Sequence, residues 1–202
     1  TNYAPVAVET QSFFSQWQAF LSATRLELHA VLKSWPFVGA LVIWLFIVVS
    51  EIITGVWNGN YGSPGLPTTS LLIWLIQDPF GRIVPLLLVY YSAEICWRER
   101  SVQIDEIADT TPAANAVFFL SKLTALVLIP LLLLAVSIVA AVIYQAVRGY
   151  FAFEIGLYLA MFYFDALPLV WLAIAALLLQ SLIPNKYLAM LLTVIFFITI
   201  HA

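Results

Sequence analysis

Long apolar runs separated by short polar segments dominate the pattern of this chain. Five runs carry few or no charged residues: 37–57, 79–97, 123–143, 155–183 and 188–202. A helix needs about 20 apolar residues to cross roughly 30 Å of hydrocarbon, whereas the strands of a membrane barrel alternate at every second residue. The runs lack that alternation. The sequence therefore predicts an all-α fold, a polytopic transmembrane helix bundle with about five spans in this segment.

The first 34 residues follow a different pattern. Apolar or weakly polar side chains recur there at helical spacing: Phe13, Trp17, Phe20, Leu21, Thr24, Leu28, Val31 and Leu32. Gln18, Arg25 and Lys33 fall elsewhere around the same helix. The pattern predicts a loop over residues 1–9 and then an amphipathic interfacial helix, Thr10–Lys33, which lies on the membrane surface. A helix packed on a partner protein fits the pattern equally well.

Residues 35–202 form the predicted transmembrane domain, and its first span begins where Ser34 is followed by Pro36. Asn58–Thr69 is rich in turn-forming residues and contains no lysine or arginine, so we expect it to be an external loop. The chain is still apolar at Ala202. We therefore expect the domain to be truncated, with a sixth span outside this segment.

The second span is predicted to begin at a second local signal. Ser70–Gln77 is too short to cross the bilayer and is expected to lie flat or to enter it as a re-entrant piece. Asp78 followed by Pro79 is typical of an N-cap and a first helical residue, so the span is predicted to run over 79–97. Arg82 lies one turn after Asp78 and is expected to pair with it.

The later part of the chain contains one more predicted loop and one predicted interruption. Gln145–Glu154 reads as the second external loop. Asp165 and Pro168 interrupt the run Ile155–Ile183, so that only its later part is expected to cross the bilayer. Pro184–Tyr187 is predicted to be a tight cytoplasmic turn before the last run.

Composition and charge support a membrane location and give the chain an orientation. The chain is 63% hydrophobic and 9% charged, against roughly 25% charged residues in soluble domains, which excludes a soluble globular fold. Cationic residues are more frequent on the cytoplasmic side of membrane proteins. With the N-terminus inside, six cations are cytoplasmic and two are external: Arg25, Lys33, Arg98, Arg100, Lys122 and Lys186, against Arg82 and Arg148.

The stretch 94–122 is the longest polar segment between two apolar runs. Its first part is rich in charge: Glu94, Arg98, Glu99, Arg100, Asp105, Glu106 and Asp109. Ile104, Ile107 and Ala108 share one helical face, from which the acidic residues are excluded. We expect a short cytoplasmic helix that docks in a groove of a partner protein. The alternative is an ordinary solvated loop.

Few residues suit catalysis or metal binding. The sequence contains neither the P-loop pattern G-x-x-x-x-G-K-[ST] nor the zinc-peptidase pattern H-E-x-x-H, and its two histidines are His29 and His201. We expect no catalytic residue, no metal site and no enzyme activity in this segment. Asp165 either lines a translocation path or is hydrated near the outer interface, and Glu51 is expected to be hydrated. An intramembrane protease using Asp165 with His201 or Ser50 is a rival hypothesis that lacks a recognisable motif.

Four sequence motifs around the polar stretch resemble a known family. They are Tyr90–Arg100 (YYSAEICWRER), Ile104–Ile107 (IDEI), Asp109–Pro112 (DTTP) and Ser121–Leu126 (SKLTAL). The stretch resembles the cytoplasmic loop of permease subunits of type 2 ABC transporters, most of all the branch joined to a zinc aminopeptidase-like domain. Weaker matches extend over most of 61–187 and include Pro67–Thr69, Gln145, Glu154, Tyr158 and Gln180. The chain departs from the family pattern at Ala114, Ala116 and Ala189.

The resemblance implies a coupling loop over 98–115 that enters a cytoplasmic ATPase subunit. The residues implied in coupling are Glu99, Arg100, Ile104, Asp105, Glu106, Ile107 and Asp109. Those implied at the membrane edge are Glu94, Trp97, Arg98 and Lys122. In such a transporter a six-helix unit pairs with a second permease half, the same or a homologous chain, in the bacterial inner membrane. ATP and Mg belong to the ATPase, and this chain holds no cofactor.

Two functions follow from this sequence analysis. The first is a permease half of an ABC transporter, whose partner ATPase drives substrate translocation through the coupling helix. The second is a membrane scaffold without transport activity, which anchors or regulates a partner protein through the same loop. The expected partners in both are proteins and the lipid bilayer rather than nucleic acid.

Overall fold

The computed structural model describes residues 13–58, 65–101 and 115–201. These residues contain seven helices and no strand: α1 (Phe13–Leu32), α2 (Trp35–Trp57), α3 (Thr69–Ser101), α4 (Asn115–Val147), α5 (Ile155–Phe164), α6 (Ala166–Leu182) and α7 (Lys186–His201). Within the described ranges, four segments are long and apolar enough to cross a membrane: Trp35–Trp57, Thr69–Arg98, Ala116–Val147 and Ile155–Leu182. The predicted all-α bundle is confirmed.

The start of α2 follows the sequence signal. The Ser34 hydroxyl accepts a hydrogen bond from the backbone N–H of Phe37 at 3.3 Å, with Pro36 in the first turn. The buried side chains of α2 recur every four residues from Trp44 through Val48 and Ile52 to Val56, which forms one stripe against α3 and α4. The predicted N-cap of the first span is therefore confirmed.

The predicted boundary at Asp78 is wrong, because α3 runs without a break from Thr69 to Ser101 and contains Pro79 and Pro85. Ser70–Gln77 is its first part and not a separate piece. Asp78 pairs with Arg82, as expected, but both side chains are at least half exposed and neither caps a helix. Buried side chains continue through the proline positions, so packing holds the helix where the local signal would end it.

The interruption at Asp165 is confirmed: α5 ends at Phe164, α6 begins at Ala166, and Asp165 lies between them. Pro168 lies inside α6 and does not break it. The tight turn before α7 is also present, since the Asn185 side-chain oxygen accepts hydrogen bonds from the backbone N–H groups of Tyr187 (3.0 Å) and Leu188 (3.3 Å). Such a contact satisfies N–H groups that the first turn of a helix leaves open.

The amphipathic helix exists, and the face that it buries overlaps the predicted one only in part. α1 packs mainly along α4, and its buried side chains are Thr24, Glu27 and Val31. Trp17 and Leu21, expected on the apolar face, are each 50% exposed. The difference arises because Glu27, an acidic residue, has a cationic partner inside the bundle, which allows it to be buried.

α3 is the central element of the bundle. It contacts each of the six other helices in the part of the chain that the structure describes. Ring contacts join it to α2, with centroids 5.9 Å apart between Phe37 and Tyr91 and 6.0 Å apart between Trp44 and Phe80. A displacement of α3 therefore reaches every other helix directly.

Candidate functional site

Three polar side chains near the C-terminal end of α3 contact three different helices. Glu94, Trp97 and Arg98 lie three and four residues apart, so they project from adjacent positions on one side of the helix. Their partners lie on α7, α6 and α1, respectively. We call the six residues of these pairs the polar collar: Glu27, Glu94, Trp97, Arg98, Gln180 and Lys186.

The most buried contact of the polar collar joins Arg98 to Glu27 on α1. The guanidinium Nη2 lies 2.5 Å from a carboxylate oxygen, and the two side chains are 30% and 5% exposed. Taking both charges out of water is costly, so such a pair adds little net stability, whereas loss of one partner leaves a buried charge and costs about 3–5 kcal/mol. The pair therefore connects α1, which packs mainly along α4, to the C-terminal end of α3.

Trp97 and Gln180 form the second contact, between α3 and α6. The indole N–H of Trp97 donates to the side-chain oxygen of Gln180 at 2.8 Å, and Gln180 is fully buried. A neutral hydrogen bond of this kind contributes about 1 kcal/mol net. The bond also restricts how α3 and α6 pack, because breaking it would leave the indole N–H unmatched in an apolar bundle. Within the described residues the amide nitrogen of Gln180 is buried without a hydrogen-bond partner.

Glu94 and Lys186 form the third contact, which joins α3 to the first residue of α7. The ammonium nitrogen lies 3.3 Å from a carboxylate oxygen, and the side chains are 43% (Glu94) and 30% (Lys186) exposed. A pair this exposed contributes roughly 0–1 kcal/mol. Its contribution is to orientation, since it places the turn before α7 beside the C-terminal end of α3.

The polar collar includes three of the residues that the family resemblance implied at the membrane edge. Glu94, Trp97 and Arg98 were expected at the membrane edge, and the structure gives each a partner; Lys122, expected with them, is half-buried on α4. The partners Glu27, Gln180 and Lys186 were not recognised as one group. A signal was present for two of them, because Glu27 is the one acidic residue of the amphipathic helix and Gln180 stands in an otherwise apolar run.

Most of the predicted coupling residues lie outside what the structure describes. Ile104, Asp105, Glu106, Ile107 and Asp109 fall within residues 102–114, for which no structure is described. The backbone of Glu99 and Arg100 belongs to the last turn of α3, and their side chains are not described. The coupling helix therefore stays a prediction, attached at its start to the helix that carries the polar collar.

Asp165 lies far along the bundle from the polar collar, at the break between α5 and α6. The side-chain nitrogen of Gln77 on α3 donates to both carboxylate oxygens, at 3.1 and 3.2 Å. The carboxylate is half-buried and borders a cleft of about 170 Å³. Glu51 and Ser50 lie instead on the exposed surface of α2. The side chain of His201, the third residue of the protease hypothesis, is not described.

A second polar cluster fastens the opposite end of the bundle. The fully buried amide of Gln145 on α4 donates to the carbonyl of Pro67 at 2.9 Å and to the hydroxyl of Thr69 at 3.3 Å. Its oxygen accepts from the Tyr158 hydroxyl at 3.0 Å, and the backbone N–H of Glu154 donates to Thr69 at 3.4 Å. These positions, scattered in the sequence, are thereby brought together at one site.

The residues named in the two clusters include no histidine and no cysteine. Among residues 13–58, 65–101 and 115–201, no group of three or more histidine, cysteine, aspartate or glutamate side chains is placed to hold a metal ion. The arrangement is suited to binding and to mechanical connection between helices. Comparison with family models, with curated proteins and with solved structures finds no match to this chain.

Proposed function

We propose that this chain is the transmembrane permease half of an ABC transporter. In this proposal the polar collar lies at the cytoplasmic face of the bacterial inner membrane, with the N-terminus inside. A separate ATPase subunit binds ATP and Mg and receives the coupling helix, predicted within the loop 98–115. A second permease half, the same or a homologous chain, completes the translocation path, for which Asp165 is the candidate lining residue.

The observation that carries the proposal is the connection of one helix end to three others. The predicted coupling helix follows directly after α3, and the last turns of α3 hold α1, α6 and α7 through the polar collar. A push on the loop would therefore move four helices together and not one alone. A loop whose task is only to anchor a partner has no need of such connections. This favours transport over the scaffold function.

The first test is the ATPase rate of the complex reconstituted in liposomes. We expect Ile104→Asp with Ile107→Asp to abolish the stimulation of ATP hydrolysis by the membrane protein, because two carboxylates would replace the apolar contacts with the groove. Val102→Asp is the matched control. At about 100° per residue, Val102 lies on the opposite face of the predicted helix, so this variant should keep the stimulation.

Each result separates the functions. Loss of stimulation in the double variant, with normal membrane insertion and normal stimulation in Val102→Asp, supports coupling. An ATPase that binds the chain but hydrolyses ATP at a rate independent of either variant would support the scaffold function. Failure of any ABC ATPase to bind the wild-type chain would refute the permease proposal.

A further inference from the structure

The cleft beside Asp165 combines one carboxylate with aromatic walls. The cleft lies between α3, α5, α6 and α7, and its lining includes Gln77, Phe80, Gly81, Phe164, Asp165 and Phe197. Its volume of about 170 Å³ is several times the ~30 Å³ that one water occupies in the liquid. The cleft thus has room for a small molecule and not only for a single water.

The carboxylate in this cleft has no cationic partner within the described residues. Described ion pairs join Arg82 to Asp78, Arg98 to Glu27 and Lys186 to Glu94. Asp165 accepts hydrogen bonds from the neutral amide of Gln77. A carboxylate within a membrane span costs about 2.5–3.5 kcal/mol on insertion scales, and such residues usually pair with a cation or face a cavity. The cleft therefore has an unmatched negative charge.

The walls of the cleft favour an organic cation over a metal ion. Calcium takes six to eight oxygen ligands, and the side chains named here offer oxygens only from Asp165 and Gln77. Three phenylalanines, Phe80, Phe164 and Phe197, line the cleft instead. Aromatic rings attract ammonium groups through their negative faces. Phe80 is 2% exposed and packs against Trp44, so its ring is held in place.

We propose that the Asp165 cleft binds an organic cation through an alkylated ammonium group, with the carboxylate supplying the charge and the phenylalanine rings the walls. The inference assigns a ligand class to Asp165, the candidate lining residue of the translocation path, and to that extent it rests on the proposed function. Binding itself needs neither nucleotide nor an ATPase. It is therefore measured on the purified chain alone.

The experiment compares two probes of matched shape. Radiolabelled choline and its neutral analogue 3,3-dimethylbutanol are titrated against the full chain in an uncharged maltoside detergent. We expect choline to bind at least about 10-fold more tightly than the neutral analogue, and Asp165→Asn to remove at least about 10-fold of that affinity. Phe80→Leu, which removes a ring and keeps the carboxylate, should weaken binding by about 2–10-fold.

Glu51→Gln is the matched control, since it neutralises another carboxylate of a predicted span outside the cleft and should leave choline binding unchanged. Folding of each variant is checked by its elution profile and thermal midpoint. If Asp165→Asn does not fold, the affinities of the two probes for wild type and for Phe80→Leu still test whether the cleft binds a cation. Equal binding of both probes, no choline binding by wild type, or displacement of choline by equimolar calcium would overturn the proposal.

The results also separate this inference from the proposed function. A chain that binds choline with the expected dependence on Asp165 but never stimulates an ATPase would keep the cation site and lose the transporter. Normal coupling without choline binding would remove the cation site alone.

Discussion

Single residues near the end of α3 show how an apolar bundle accommodates charge. Glu27 is almost fully buried, and its carboxylate is matched by Arg98, which lies 71 positions away in the sequence. Trp97 and Gln180 are 83 positions apart, and Glu94 and Lys186 are 92 apart. Each of the three α3 side chains thus has a partner on another helix, as the energetics of burial favour. Within the described residues the amide nitrogen of Gln180 is an exception, since it is buried without a hydrogen-bond partner.

Glu27→Gln tests the buried pair. The amide keeps the shape of the carboxylate but leaves the Arg98 guanidinium without its counter-charge, so we expect a loss of up to about 3 kcal/mol in the free energy of unfolding. The measurement is thermal unfolding in detergent micelles. Arg25→Gln, which removes an exposed charge from the same helix, is the control and should change stability by less than about 0.5 kcal/mol.

A second variant separates lost pairing from lost side-chain volume. Glu27→Leu combined with Arg98→Leu removes both charges and should recover most of the stability lost in Glu27→Gln, because no unpaired charge remains. A double variant as unstable as the sum of two damaging single changes would contradict this account. Stability of Glu27→Gln equal to that of wild type would also contradict it.

The residue pairs show where prediction from sequence ends. The family resemblance implied a membrane-edge group of Glu94, Trp97, Arg98 and Lys122, of which the first three share α3. Their partners depend on how four helices pack, and no local pattern encodes the contact of Arg98 with a residue 71 positions earlier. The burial of Glu27 likewise depends on how the helices pack and not on its local sequence. This charged residue of the amphipathic helix is internal because α3 supplies its partner.

At the scale of elements, the apolar runs predicted the spans well, since a helix must satisfy its own backbone groups in hydrocarbon. The first span, the break at Asp165 and the turn at Asn185 all lie where the sequence indicated. The boundary at Asp78 failed although it has the same signal as Ser34, a polar cap residue near a proline. The helix continues through Asp78 because side chains on both sides of it pack in the core of the bundle. The local sequence signal carries no information about that packing.

Pro79→Ala tests the continuity of α3. An interior proline lacks the N–H that would donate to the carbonyl of Leu75, and a helix interior prefers alanine by about 3 kcal/mol. The lost burial of two methylenes offsets roughly 1.6 kcal/mol of this. We therefore expect Pro79→Ala to raise the free energy of unfolding by about 1 kcal/mol, measured by thermal unfolding.

Pro130→Ala is the control for Pro79→Ala, because Pro130 is a buried proline inside α4. Both variants should behave alike if both prolines are interior. A gain in stability for Pro130→Ala with a loss for Pro79→Ala would instead indicate that α3 begins again at Pro79, as the sequence first suggested.

At the scale of the whole molecule, α2 is the least enclosed of the four candidate spans. Only 22% of its most apolar window is buried, against 33–50% in the other three. Its exposed surface includes the carboxylate of Glu51, six residues and therefore about 9 Å before the last residue of α2, Trp57. A charged group in this position favours contact with another protein surface over contact with lipid. We therefore predict that, in the proposed transporter, α2 contacts the second permease half and that Glu51 faces this contact, whereas hydration was expected from the sequence.

Disulfide cross-linking tests that contact. Cys96 is the one cysteine of the chain, so a Cys96→Ser background leaves no competing thiol. If the second half is a copy of this chain, Ser50→Cys beside Glu51 should yield a covalent dimer in membranes treated with a mild oxidant, because a symmetric interface brings the same surface of both copies together. Ser181→Cys is the matched control, an exposed serine on α6 that should remain monomeric.

The cross-linking yields of the two cysteine variants distinguish a specific contact through α2 from random collision. A dimer formed by Ser50→Cys and not by Ser181→Cys supports pairing through α2. Equal cross-linking of both variants would indicate random collision, and no cross-linking of Ser50→Cys would exclude a symmetric contact at this position.

The length of α3 has a mechanical consequence. Its 33 residues correspond to about 50 Å at ~1.5 Å per residue, well beyond the roughly 30 Å of the hydrocarbon core. The amide of Gln145 holds Thr69 at one end of α3, while the other end carries Glu94 and Arg98. If the proposed coupling tilts α3 about this fixed end, geometry gives a displacement of about 4 Å at the far end for a tilt of about 5°. A small rotation of α3 would thus displace its far end by a distance comparable to the rise of one helical turn, about 5.4 Å.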